Sequence, residues 1–133
     1  MSALTAGTEL APQEFVVRRS DLVAYADASG DQNPIHQDEA IAQLVGLPGV
    51  IAHGMYTMAL AARAVATWTD DAEVVEIGCK FTAPVVVPAE GGATVRIAGV
   101  VKSVADGRAT IALDVTCAGE KVLGAPKAVV RVG

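Results

Sequence analysis

Gly54-Met-Tyr-Thr-Met-Ala-Leu-Ala-Ala-Arg-Ala-Val-Ala-Thr-Trp68 is the stretch on which the fold turns. Met55, Met58, Ala59, Ala62 and Ala66 recur at helical spacing. Leu60, Ala61, Ala64 and Val65 make the other faces apolar too. A helix that is apolar nearly all round is normally buried. Its alanines let neighbouring backbone come close. The segment is interrupted by Arg63 and is too short to span a bilayer.

Downstream of this helix the chain changes character. Residues 73–87, 93–105, 108–118 and 121–132 are rich in Val, Ile and Thr, as strands require. Asp106-Gly107 is a strong hairpin signal, and Gly119 marks a second turn. Thr94, Arg96, Ala98 and Val100 alternate with Val95, Ile97 and Gly99, which gives that strand two different faces. Upstream, Phe15, Val16 and Val17 read as a short first strand. Ser20 is the expected cap of a following helix, with Asp21 in its first turn and Gly30 beyond its end. Pro34 disfavours helix at Asn33, so 29–36 is a turn. Asp38 is placed to cap a short helix carrying Ala40, Ile41, Leu44 and Val45, and Gly46, Pro48 and Gly49 form a loop. A strand, then helices, then antiparallel strands predict an α+β fold in which a sheet wraps one buried helix.

Composition narrows the function. The chain has 133 residues, enough for one domain with its own core, so residues 1–133 are expected to form a single unit. Charged residues make up 19% and hydrophobic ones 52%, which speaks against disorder and hints at a buried subunit interface. The net charge is -5 and the ten basic residues are scattered, so nucleic acid and anionic membranes are not expected partners. Cys79 and Cys117 have no CxxC spacing and read as buried thiols in a reducing compartment. The first fifteen residues lack the pattern of a signal peptide, so a cytoplasmic protein is expected.

The two histidines, His36 and His53, both lie just before the apolar helix. Asp31-Gln-Asn-Pro-Ile-His36 puts a carboxylate and an imidazole on one short turn. Together they can hold a water, take one proton and return another. The alternative is a turn-capping Asp31 and a surface His36. His53-Gly54 stands where the helix begins, and free N–H groups there can face a developing oxyanion. As a side chain, His53 is expected to cap the helix. Asn33 either orients Asp31 or His36 or simply forms the turn. Tyr25 and Tyr56 read as packing residues. Asp31, His36 and His53 could form a metal triad, but the spacing lacks HExxH and no Cys/His cluster is near, so no metal is expected. No phosphate loop, dinucleotide fingerprint or nucleophile elbow is present, and no cofactor is expected.

Tyr25-Ala-Asp-Ala-Ser-Gly-Asp-Gln-Asn-Pro-Ile-His36, followed by Ile51-Ala-His-Gly-Met55, resembles the signature of MaoC-like (R)-specific enoyl-thioester hydratases. The likeness is greatest to the HadB type of subunit in (3R)-hydroxyacyl-ACP dehydratases. It also takes in the Val45-Gly-Leu loop, Trp68 and Phe81-Thr-Ala-x-Val. The resemblance implies a hot-dog fold, with an antiparallel sheet around a long central helix. It implies Asp31 and His36 as a catalytic dyad and the Gly54 N–H as an oxyanion donor. Asn33, His53, Met55, Met58 and Ala62 complete the expected binding set, with the acyl chain running past Met58 and Ala62 and residues 46–51 as a lid. Some members carry a supporting serine near the position of Ala62, which cannot hydrogen-bond. The implied activity is hydration of enoyl thioesters and the reverse dehydration, on CoA or acyl carrier protein. The implied assembly is a homodimer or a heterodimer with a related subunit. A hot-dog thioesterase and a non-catalytic acyl-binding subunit are the competing readings. The first usually needs a carboxylate on the central helix, and 54–67 has none.

Overall fold

A computed structural model describes residues 4–132. Strand β1 (Glu9–Val17) leads into α1 (Arg19–Ser29), a 3-10 turn (Pro34–His36), α2 (Glu39–Leu44) and α3 (Gly54–Thr69). Five strands follow: β2 (Val74–Phe81), β3 (Ala93–Ala105), β4 (Arg108–Cys117), β5 (Glu120–Lys121) and β6 (Leu123–Arg131). They form one antiparallel sheet in the order β1-β3-β4-β6-β2, with β5 paired to β4. The sheet curls around α3, which is the hot-dog arrangement.

Strand β3 shows why the sheet has an inside. Ala93, Val95, Ile97, Gly99 and Val101 are buried, while Thr94 and Arg96 between them are exposed. Ile111, Leu113 and Val115 of β4 and Ala128 and Val130 of β6 continue that face. The β3–β4 hairpin closes through Asp106 (φ 55°) and Gly107 (φ 73°), the left-handed pair that a type I′ turn needs. Strand β1 lies at an edge, where Pro12 can lack an N–H without breaking a ladder on both sides; a register shift falls there, between Leu10 and Gln13.

Helix α3 packs on this face through Thr57, Leu60, Ala61, Ala64, Val65 and Thr69. That differs from the predicted stripe. Met55 and Ala59 are exposed, and Met58, Ala62 and Ala66 are half-buried. The helix is therefore not enclosed on all sides. Where every face is apolar, periodicity does not choose among them. The branched Leu60 and Val65 fill the space over the sheet, Ala61 and Ala64 let the helix come close to it, and the methionines are left on the more open side. Trp68 fixes the far end of the helix. Its ring lies where a β-carbon on Gly99 would come within 3.1 Å, and its indole N–H donates to the Ala11 carbonyl at 2.7 Å.

Other boundaries move for local reasons. Helix α1 begins at Arg19, after an Arg18 cap, rather than after Ser20. The Asp21 carboxylate accepts the Arg18 N–H at 2.8 Å, which starts the helix earlier. Gly30, at φ 84°, closes it. Asp38 caps α2 as expected, with Oδ1 accepting the Ile41 N–H at 3.1 Å. The strand predicted over 73–87 stops at Phe81. Beyond Pro84 the chain turns inward to pair with residues 50–52. The cysteines are half-buried rather than buried.

Candidate active site

Three segments meet at the start of α3. Val87 donates to the Val50 carbonyl at 2.8 Å and Ala52 donates to the Val85 carbonyl at 2.9 Å. Ile51 donates to the Ile35 carbonyl at 3.2 Å. Residues 50–52 are thus stitched to the 3-10 turn on one side and to 85–87 on the other. Val50 and Ala52 are buried. The lid expected over 46–51 is not free at its second half for this reason.

The turn that carries Asp31 and His36 is built by its own side chains. Asp31 Oδ1 accepts the Asn33 N–H and Asn33 Oδ1 accepts the Ile35 N–H, each at 3.2 Å. Asn33 is thus the turn former, with its carboxamide engaged by backbone. His36 is 7% exposed and Asp31 is exposed. His36 Nδ1 lies 2.7 Å from the Ile51 carbonyl, which can only accept. In the neutral ring the proton is therefore on Nδ1, which leaves the lone pair at Nε2.

His53 departs from its expected role. No side-chain cap is made at the start of α3. Its Nε2 instead donates to the backbone carbonyl of Asp31 at 3.1 Å. Its ring stacks on His36, with centroids 3.8 Å apart and 23° between planes, and it makes an edge contact with Tyr25 at 4.8 Å. His53 is 2% exposed, and its Nδ1 is buried without a partner. An acceptor left so costs about 1–3 kcal/mol.

One ligating atom each from Asp31, His36 and His53 lie within 4.8 Å of one another. A water making two hydrogen bonds of about 2.8 Å at a tetrahedral angle joins atoms about 4.6 Å apart, so the spacing suits a shared water. A metal ion suits it less well. Lone pairs lie in the ring planes, and two near-parallel imidazoles stacked at 3.8 Å cannot both aim one at the same ion.

These groups open on a cavity of about 580 Å³. Asp31, His36, His53, Gly54 and Met55 line it, with Thr57 the lining residue farthest along α3. Asn33, Met58 and Ala62 do not, so the cavity does not follow the expected channel past Met58 and Ala62. Its apolar wall comes from Phe81, the Ala83–Val85 turn, Val122 and Leu123. Sequence reasoning missed most of that wall. Phe81-Thr-Ala was visible only through the family resemblance, and Val122 and Leu123 carry no local signal. Tyr25 also reaches the cavity. Among the described residues, the Gly54 and Met55 N–H groups donate to no carbonyl. They are the free donors of the helix start.

The chain belongs to the MaoC-like domain family, whose profile matches residues 3–119. It is 43% identical over 68 residues to 3-hydroxyacyl-thioester dehydratase X of Mycobacterium tuberculosis, a match covering 51% of this chain and 24% of that protein. A solved MaoC-like dehydratase superposes with a TM-score of 0.94 at 38% identity, over 98% of this chain and 41% of that one. R-hydratase PhaJ1 from Pseudomonas aeruginosa superposes with a TM-score of 0.83 at 28% identity, over 97% and 83% of the two chains. The chain therefore spans about a quarter of the first relative and under half of the first structure.

Proposed function

We propose that this chain, acting as one hot-dog unit, catalyses the reversible hydration of trans-2-enoyl thioesters to (3R)-hydroxyacyl thioesters. One observation carries the reading: a carboxylate and an imidazole with a free Nε2 converge beside a cavity that is also lined by the start of α3, with its unpaired N–H groups. The dehydratase and R-hydratase names of its relatives support the same reaction class.

In this mechanism the thioester carbonyl accepts the Gly54 N–H, where enolate-like charge is stabilised as it forms. Asp31 and His36 grip a water. Its oxygen bonds to Cβ, one of its protons passes to the dyad, and a proton reaches Cα. Dehydration retraces the path: the α-proton leaves, the Cβ–O bond breaks and water departs. The dyad acts as one acid–base unit. Met55 and the Phe81 wall bound the thioester. The chemistry requires no metal or cofactor.

The carrier is CoA or acyl carrier protein, and the chain pairs with a second hot-dog subunit, its own copy or a relative. Strand β2 supports pairing, since it is a sheet edge with Val74, Val75 and Phe81 exposed beside the open face of α3. No helix among the described residues is long and apolar enough to cross a membrane. A cytoplasmic site of action accords with two free thiols.

The test follows loss of enoyl-thioester absorbance on crotonyl and longer substrates. Asp31→Asn and His36→Ala are each expected to lower the rate at least about a hundredfold. Near-normal turnover by either variant overturns the mechanism. Thiol release in place of hydration would favour the thioesterase reading, and tight acyl binding without turnover the non-catalytic one.

A further inference from the structure

His53 is a side chain the dyad mechanism leaves without a chemical step, yet it touches both members. Its Nε2 donates to the Asp31 backbone carbonyl at 3.1 Å, and its ring backs the His36 imidazole at 3.8 Å. Tyr25, itself edge-on to Tyr56 at 5.3 Å, packs against the same ring. The contacts come from different parts of the chain. Asp31 stands after α1, His36 on the 3-10 turn, and His53 just before α3.

The choice of residue is informative. A phenylalanine would fill the same slot and stack as well, without a buried lone pair left unpaired at Nδ1. A glutamine would donate to the same carbonyl but offers no flat face. Histidine serves both contacts at once, and the fold tolerates an unsatisfied acceptor to keep it. At 2% exposure the ring shows the cavity only a small part of its surface, and most of it is spent on these contacts. From these contacts we infer that His53 is a positioning residue that fixes Asp31 by its N–H and His36 by its face, and so sets the spacing of the two. The inference rests on the dyad reading above and adds a residue that acts only through the dyad.

Two variants separate the contacts. His53→Phe keeps the stack and loses the donor; His53→Gln keeps a donor and loses the stack. For His53→Phe the expected result is a melting temperature equal to or above that of the parent, since the orphan acceptor is gone. Its kcat falls at least about tenfold while KM stays within about twofold, because the dyad is displaced and the binding wall is not. His53→Gln is expected to recover part of the Asp31 anchoring but to remain at least about fivefold down in kcat, since His36 has lost its backing.

A second readout needs no substrate. Amide hydrogen exchange at Asn33 and Ile35, whose N–H groups bond within the Asp31 turn, is expected to quicken at least about fivefold in His53→Phe and less in His53→Gln. Parent-like kcat in either folded variant, or activity lost only in step with thermal stability, overturns the inference. Unchanged exchange in both variants overturns it as well. If His53→Phe does not fold, the kcat and exchange of His53→Gln decide. Asp31→Asn measured alongside keeps the two ideas apart: an active Asp31→Asn sinks the dyad, whereas an inactive one beside an unaffected His53→Phe sinks only the role of His53.

Discussion

A β-carbon on Gly54 would stand 2.9 Å from the Phe81 ring. The first residue of the central helix and the last residue of β2 are thus fitted to each other at the cavity wall. The glycine leaves room both for the ring and for a ligand atom to approach the helix N–H.

Gly54→Ala is expected to push that ring, and the ring can yield because Phe81 is 56% exposed. The stability loss should stay near 1 kcal/mol, a shift of a few degrees in Tm. Hydration should fall at least about tenfold, because the displaced ring and the new methyl both crowd the proposed carbonyl position. A thermal melt beside the absorbance assay checks this; equal losses of stability and rate would contradict it.

Gly92 presents the opposite case. It sits at φ 69°, and a β-carbon there would run into the backbone carbonyl of Val17, which cannot swing aside as a ring can. Gly92→Ala is expected to cost about 2–4 kcal/mol, read as a lowered denaturant midpoint with an unchanged slope. The affected contact joins the end of β1 to the start of β3, and neither Val17 nor Gly92 lines the cavity, so residual folded protein should turn over normally.

Asp38→Ala removes the acceptor that caps α2 through the Ile41 N–H. A loss of about 1 kcal/mol is expected. Asp38→Asn should restore most of it, since an amide oxygen accepts the same bond. Chemical denaturation of the three proteins measures the difference.

Burial pushes the Cys79 and Cys117 thiols up from their ordinary range, and the Glu120 carboxylate adds to the effect at Cys117. A raised value means less thiolate at a given pH, so iodoacetamide at pH 8 should label the folded chain at least about threefold more slowly than the unfolded one. The linkage has a definite sign. The associated stability is present below the unfolded thiol pKa and lost as pH rises through the higher folded one. Stability should therefore decline on the alkaline side of the thiol range, and Cys79→Ser with Cys117→Ser should flatten that decline.

Much of this architecture is legible in the amino-acid order. The Asp106-Gly107 turn, the alternation along β3, the Asp38 cap and the Gly30 stop are local decisions, made by residues close in sequence. The apolar segment after Gly54 announces a central helix by itself. Which of its faces meets the sheet is not local, and the expected stripe through Met58 and Ala62 proves to be the more open one. Likewise the Asp31–His36 turn is visible in its spacing, whereas the chemistry of His53 is not. A histidine ahead of a helix suggests a cap, and only the close approach of the Asp31 carbonyl gives its N–H a different partner. The cavity wall depends on residues 81–85 and 122–123 arriving from two later strands, and no short pattern encodes that meeting.

The strand order also bears on how the molecule is made. Strand β1 finds its neighbour only in β3, and β2 finds its own only in β6, the last strand of the sheet. Everything proposed to do chemistry is synthesised before β2 to β6, the strands that complete the sheet. A ribosome releasing this chain would present Asp31, His36 and His53 well ahead of Val122 and Leu123, so pairing across long loops should set the pace of folding. Reactivity should then emerge in one late step rather than by degrees, leaving no half-built intermediate able to act on a thioester.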